Sequence, residues 1–268
     1  MTTLLVDGDI FIYRCALHAQ ETVDWGDGLI CSWANTFTAQ RYLKHTLTTL
    51  QSTLNADHMI IALSSPVNFR KNLDPTYKGN RRNREPLLVH KNLREFVKTT
   101  FAFQELSGLE GDDVLGILAT TPDGKNAVET GTDKSADELG TGEPVIVSID
   151  KDLQQIPGRH YNFDKPDLGV NEVTSHQATL FFYTQVLTGD ATDGYSGCPG
   201  IGAKGAKILE GVTTSTEAWE SIVKAYEKAG LSENDALLQA RLARILRHGD
   251  YSLSTGVTLW TPEGISTW

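Results

Sequence analysis

The sequence predicts an α/β fold, and three observations predict it. Short apolar runs at Thr3–Val6, His58–Leu63, Ala102–Leu106 and Val145–Ile149 read as buried strands. Helical patterns lie between them, at Ile10–Leu17, Trp33–Leu54, Pro86–Thr100 and Val114–Ala119. Most of these strands are followed by acids: Asp7 after the first, the Glu110 group after the third, Asp150 after the fourth. Open α/β sheets place their ligands at the carboxyl ends of their strands.

Asp7 ends the first strand and precedes a helix, so it reads either as a site carboxylate or as an N-cap. Arg14 lies two helical turns on and is expected on the same face. Gly26-Asp27-Gly28 predicts a loop or small hairpin. The long helix that follows is expected to bury Phe37, Tyr42, Leu47, Leu50 and Leu54. Pro86 is expected as the first residue of the next helix. Glu110-Gly111-Asp112-Asp113 carries more acid than a helix N-terminus needs, and Glu110 and Asp113 are spaced to share a face. The polar stretch 120–144 reads as a surface insertion. Tyr161-Asn162-Phe163 reads as another short strand. Thr174 and Gln177 form a capping box for a helix that Gly189 closes. Thr216–Ala229 and Asn234–Leu246 read as further helices.

The 268 residues suffice for one large domain or two small ones. No apolar run approaches the roughly 20 residues of a membrane span. The N-terminus lacks a basic region before its first acids, which argues against a signal peptide. Three scattered cysteines suit a reducing compartment, so the expectation is a cytoplasmic protein. The net charge of −10 argues at first against nucleic acid. Its distribution argues the other way. Between Arg70 and Lys98 there are nine basic and three acidic residues, so this segment is +6 and the rest −16. The segment reads as a basic element facing an acidic body, or as a solvated polar loop. Tyr77 within it offers a stacking surface, and Arg82 a phosphate contact.

In Gly189–Lys207, Asp190 and Asp193 precede a glycine-rich turn and then Lys204 and Lys207. It reads as metal-holding carboxylates beside a phosphate cradle, or as an ordinary Gly/Asp-rich loop. Asp7, Glu110, Asp112, Asp113, Asp150, Asp152, Asp190 and Asp193 all lie at element ends. Together on one edge they would repel one another unless protonated or neutralised by cations. All-oxygen ligation favours Mg²⁺ or Mn²⁺, and two or more such ions suit phosphodiester chemistry.

VDGDIFIYR, NFRK…YKGNRR, LEGDDVLG, VIVSIDKDLQQIP and GDATDGYSGCPGIGAKGAKIL resemble, in that order, the 5′-nuclease family of flap endonucleases and 5′→3′ exonucleases. The likeness is greatest to the short exonucleases of T-odd podoviruses. It implies a mostly parallel sheet flanked by helices, a basic arch at about 66–100, and a C-terminal helix–hairpin–helix region. It implies a catalytic core at 1–187 and a DNA-binding region at 188–268. By position, the eight acids resemble the family's metal ligands. Lys78 and Arg81 resemble arch residues that contact the scissile phosphate, with Tyr77 stacking on a base. Arg14 resembles an arginine that follows the first aspartate. Gly200, Gly202, Lys204 and Lys207 resemble a hairpin that grips duplex DNA and binds a monovalent cation such as K⁺. The implied partners are duplex DNA with 5′ ends, nicks or flaps, and RNA–DNA hybrids. The expected state is a monomer, acting in phage replication, recombination or RNA primer removal. One departure stands out: Ser64-Ser65 follows the second strand, where many relatives carry an acid. That departure motivates a rival, a DNA-binding protein weakened in catalysis. The strand-DxD, strand-Ser and GDxxxD order motivates another, a haloacid-dehalogenase-type phosphatase.

Overall fold

The computed structural model describes residues 1–81, 87–122 and 143–262. The elements are β1 (Thr2–Asp7), α1 (Gly8–Ala19), β2 (Gln20–Asp24), β3 (Ile30–Ala34), α2 (Thr36–Thr53), β4 (His58–Leu63), α3 (Arg70–Leu73), α4 (His90–Thr100), β5 (Phe103–Glu105), α5 (Gly111–Thr120) and β6 (Glu143–Val147). Then come β7 (Gly158–Tyr161), β8 (Val170–Val173), α6 (Ser175–Thr188), α7 (Gly205–Ile208), α8 (Ser215–Lys228), α9 (Glu233–Ala243), β9 (Tyr251–Ser252) and β10 (Gly256–Val257).

The main sheet runs β5-β4-β1-β6-β7-β8. Every pairing is parallel except β7 with β8. The chain steps outward from β1 through β4 to β5, then returns to place β6 on the other side of β1. The strand order therefore reverses between β1 and β6, the place where open sheets bind ligands. Asp7 and Asp150 stand just there.

Alternation along each strand divides the core. Leu4, Val6, Ile61, Leu63, Val145 and Val147 face α1, α2 and α4. Leu5, Ile60, Ala62 and Ile146 face α5 and the Ile245-Leu246 segment. A further cluster joins Tyr77 to α6, α8 and α9 through Phe182, Tyr183, Trp219 and Tyr226.

Several elements differ from expectation. α2 begins at Thr36, capped by Asn35, and its buried stripe is Ala39, Leu43, Leu47 and Leu50. Phe37 and Tyr42 lie off that stripe and are 72% and 42% exposed. β8 was not foreseen; it pairs antiparallel with β7, which ends at Tyr161 rather than beginning there. The expected hairpin forms as β2–β3, with Gly26, Asp27 and Gly28 in left-handed conformation. Gly189 closes α6 at φ 68°. Pro86, Arg82 and most of the 120–144 insertion lie outside the described residues.

Gly8 lets α1 start against β4. A Cβ there would stand 2.4 Å from Ile61 Cγ2 and 2.7 Å from the Ala62 carbonyl oxygen. The carbonyl belongs to a paired strand and cannot yield. Gly8→Ala is expected to lower unfolding free energy by about 1–3 kcal/mol, read as an earlier urea midpoint at unchanged slope.

Candidate active site

The carboxyl edge of the sheet gathers acids from successive elements. Asp7 caps α1 by accepting from the Ile10 N–H at 3.2 Å, and its other oxygen accepts from the Ser148 hydroxyl at 2.7 Å. It is thus both cap and edge carboxylate. Burial pushes its carboxyl up to about 7, against the Ser148 bond, and Asp9 and Asp150 add repulsion. Asp112 lies well above the usual carboxylate range, through burial and then repulsion from Asp7 and Asp150. Asp152 is pushed up to about 7 by burial, Asp150 and Asp190. The Gln185 side chain donates to Asp152 at 2.8 Å.

Glu110 and Asp190 are shifted the other way. Burial alone would raise Glu110, but Lys78 and Arg70 overcome it and hold it at about 2. Burial would likewise raise Asp190, yet the Thr192 and Asp193 N–H groups and Lys151 bring it below its usual range. Asp193 stands 3.4 Å from Lys78 Nζ and accepts from the Tyr77 hydroxyl at 3.2 Å. The Lys78 N–H donates to the Asp193 carbonyl at 2.7 Å, so the turn at Lys78 and the Asp190 turn are joined by backbone.

Two lysines stand among these acids. Lys78 Nζ meets Glu110 and Asp193. Lys151 Nζ lies 3.4 Å from Asp190 and 3.9 Å from Asp152. Among the described residues, no three Asp, Glu, His or Cys side chains converge closely enough to hold an ion as placed. Buried, raised carboxyls and inserted ammonium groups stand together along this edge. The donor set, all oxygen, fits a hard divalent cation.

Three expected site residues differ, and Ser65 is as expected. Asp113 is fully buried and has no free oxygen. Both of its oxygens accept from Arg70 at 2.7 Å, and it also accepts from the Leu246 and Glu110 N–H groups at 3.1 Å. Its bonds are all within the fold, and the face it shares with Glu110 serves Arg70 instead of an ion. Tyr77 is 2% exposed, with its hydroxyl on Glu110 at 3.0 Å, so its ring has no face left for a base. Arg14 pairs with Asp164 at the surface and stacks over Phe163 at 5.2 Å, rather than joining Asp7. Ser65 supplies no charge: its N–H donates to the Leu109 carbonyl and its hydroxyl accepts from the Val67 N–H. Ser64 accepts from the Gly111 N–H at 2.8 Å, tying β4 to the start of α5.

The Arg81 backbone lies in a short 3₁₀ turn, Gly79–Arg81. Its side chain, like all of Arg82, is outside the described residues. Gly200 and Gly202 adopt φ of 77° and 47°, and a Cβ at either would meet open space. Lys204 and Lys207 are exposed, on a 3₁₀ turn and the short α7.

Sequence reasoning overlooked Arg70, Lys151, Ser148 and the Gln155–Gln185 pair. Gln155 donates to Gln185 and to the Ala243 carbonyl, so the amide that holds Asp152 is itself held. Lys151 had a signal, lying between two site acids; the others depend on partners remote in sequence.

The family described as 5′-3′ exonuclease, N-terminal resolvase-like domain, matches residues 2–179. The chain belongs to that family. It is 26% identical over 299 residues to the exodeoxyribonuclease of Enterobacteria phage T3, covering 97% of this chain and 93% of that protein. It is 26% identical over 298 residues to the exonuclease of Escherichia phage T7, with the same coverage. The bacteriophage T5 flap endonuclease in a complex with DNA and metal ions shares the fold, with a TM-score of 0.63 and 17% identity over 91% of this chain and 89% of that one.

The raised Asp7 carboxyl has a consequence for the metal-free protein. Between about pH 4 and 7 the folded protein keeps a proton at Asp7 that the unfolded chain has lost. Stability therefore falls as pH rises through that interval. In EDTA, Asp7→Asn is expected to remove on the order of a few kcal/mol of this fall, read by urea unfolding across the interval.

Proposed function

We propose that the chain is a divalent-metal-dependent 5′→3′ exonuclease with flap endonuclease activity, hydrolysing phosphodiesters from 5′ ends in duplex DNA. The observation that carries this reading is the carboxylate edge at the sheet's reversal point, faced by Lys78. Its family and its phage relatives support it.

Mg²⁺ or Mn²⁺, as two or more ions, would be held by Asp7, Glu110, Asp112, Asp150, Asp152, Asp190 and Asp193. When bound, such ions supply Lewis acidity and positive charge at a phosphodiester. The chain's own groups orient the substrate around them. Lys78, and Arg81 beside it, would meet the scissile phosphate and offset charge in the transition state. Arg82 would contact the backbone along the arch. Gly200, Gly202, Lys204 and Lys207 would grip the duplex, with K⁺ at the hairpin. In this reading 1–187 with the arch at 66–100 is the catalytic core and 188–268 the helix–hairpin–helix DNA-binding region. DNA nicks, flaps and RNA–DNA hybrids are the proposed substrates, for a monomer acting in the host cytoplasm. No helix of the described residues is long and apolar enough to cross a membrane.

The phosphatase alternative fits less well. Its last acidic motif should follow a strand, whereas Asp190 follows α6, and Asp9 is already bound by Arg94 and the Ser64 N–H.

Asp150→Ala and Asp190→Ala are each expected to abolish Mg²⁺-dependent cleavage of a 5′-labelled duplex while binding in Ca²⁺ survives. Undiminished cleavage by both variants would remove these acids from the site. Lys78→Ala is expected to slow single-turnover cleavage by about 100-fold or more with little change in duplex affinity. The Lys204→Ala, Lys207→Ala pair is expected to do the opposite, weakening binding and flattening its salt dependence.

A further inference from the structure

A polar cavity of about 330 Å³ lies away from the carboxylate edge, between α6, the start of α8, the 244–250 loop and the segment 258–261. Arg244, Arg247, Tyr183, Ser215 and Trp260 line it, and Asp250 is the carboxylate on its wall. Asp250 is committed. It accepts from Arg244 Nη2 at 2.9 Å, from Arg244 Nε at 3.3 Å and from the Arg247 N–H at 2.9 Å. Arg247 donates from Nη2 to the Gln155 carbonyl. Its Nε is buried and has no partner among the described residues.

Two guanidinium groups thus line a cavity with one carboxylate, which only Arg244 bonds through its side chain, in a protein of net charge −10. Burial and the neighbouring Arg244 pull the Arg247 guanidinium down to about 10. An anion between the two arginines would relieve that repulsion. Ser215 is the first residue of α8, so the positive end of a 14-residue helix adds to the field. On the other side are rings: Trp260 lies 5.4 Å from Phe182 and 6.3 Å from Tyr183, centroid to centroid.

We propose that this cavity binds a phosphate monoester of mononucleotide size, its phosphate between Arg244, Arg247 and the start of α8, its base against Trp260. Guanidinium forks match phosphate oxygens in geometry and charge. The volume lies at the small end of ligand pockets, which suits one nucleotide and excludes a duplex. The walls are also tied to the carboxylate edge. The Arg244 carbonyl accepts from Arg70, which holds Glu110. Arg247 holds the backbone of Gln155, whose side chain holds Gln185, which holds Asp152. The proposal goes beyond nuclease activity and does not rest on it.

The test is titration calorimetry in EDTA, which keeps divalent ions off the carboxylate edge. The probes are dAMP, inorganic phosphate and deoxyadenosine. Saturable binding of dAMP is expected, with none of deoxyadenosine. Binding is expected to weaken about tenfold or more in Arg247→Gln and in Thr179→Glu, which brings a carboxylate to the cavity from α6. Thr179→Glu leaves the arginine bonds in place and decides the matter if Arg247→Gln does not fold. Absence of binding by both phosphate probes, or undiminished binding in a folded variant, overturns the proposal. Binding of inorganic phosphate with exclusion of dAMP overturns the mononucleotide assignment.

Discussion

Arg70 is buried to 2% exposure and reaches four parts of the chain at once. It donates to both oxygens of Asp113, to Glu110, and to the carbonyls of Leu242 and Arg244. Removing a guanidinium and a carboxylate from water costs several kcal/mol apiece, and only near-complete hydrogen bonding offsets it. Here that bonding is present. The pair therefore fixes geometry more than it adds stability: α3, α5 and the end of α9 must all be in place for Arg70 to be satisfied. The site inherits this order, since Glu110 stands on Arg70 and Lys78 on Glu110.

A second constraint opposes the first. Asp7, Asp112 and Asp152 are pushed toward protonation by burial and by neighbouring carboxylates. The fold holds them together only because other groups pay the electrostatic bill: Ser148 on Asp7, Gln185 on Asp152, Lys151 beside Asp190. A cluster with such unrelieved repulsion is a poor structural element and a good receptor for small, highly charged cations. That is why the Lys78 and Lys151 positions matter. Each places a positive charge where the acids need one.

The sheet and its acidic edge were legible in the sequence because both depend on local pattern. Strand runs, capping boxes and acids after strands need no knowledge of what lies across the fold. Individual roles were harder to read. Asp112 and Asp113 are neighbours, yet one turn of about 100° per residue sends them to opposite environments. Only Arg70, 43 residues earlier, distinguishes Asp113. Tyr77 looked like a surface aromatic because its neighbours are basic, but Phe182, Tyr183 and Tyr195 join it in one cluster. In α2 the buried stripe begins with Ala39, a weak apolar signal that Phe37 and Tyr42 outweigh. Each misreading has one cause: a partner distant in sequence decides the environment.

The stretch from Gly189 onward shows how local and distant constraints combine. Gly189 and Gly197 have φ of 68° and 64°, and they meet backbone to backbone. A Cβ on Gly197 would lie 2.3 Å from the Gly189 nitrogen, and one on Gly189 would lie 2.4 Å from the Ser196 carbonyl carbon. The bridge between Asp190 and Tyr195 and the Cys198 N–H bond to the Leu187 carbonyl close the same loop. The acids at Asp190 and Asp193 are thereby fixed to α6 at one end. The segment carrying Lys204 and Lys207 is fixed at the other, where a Cβ on Gly205 would stand 2.7 Å from Thr188. With both ends pinned to one helix, the spacing between the acids and the exposed lysines is a property of the backbone. That spacing is built from glycines, Gly189, Gly197 and Gly205, that admit no side chain.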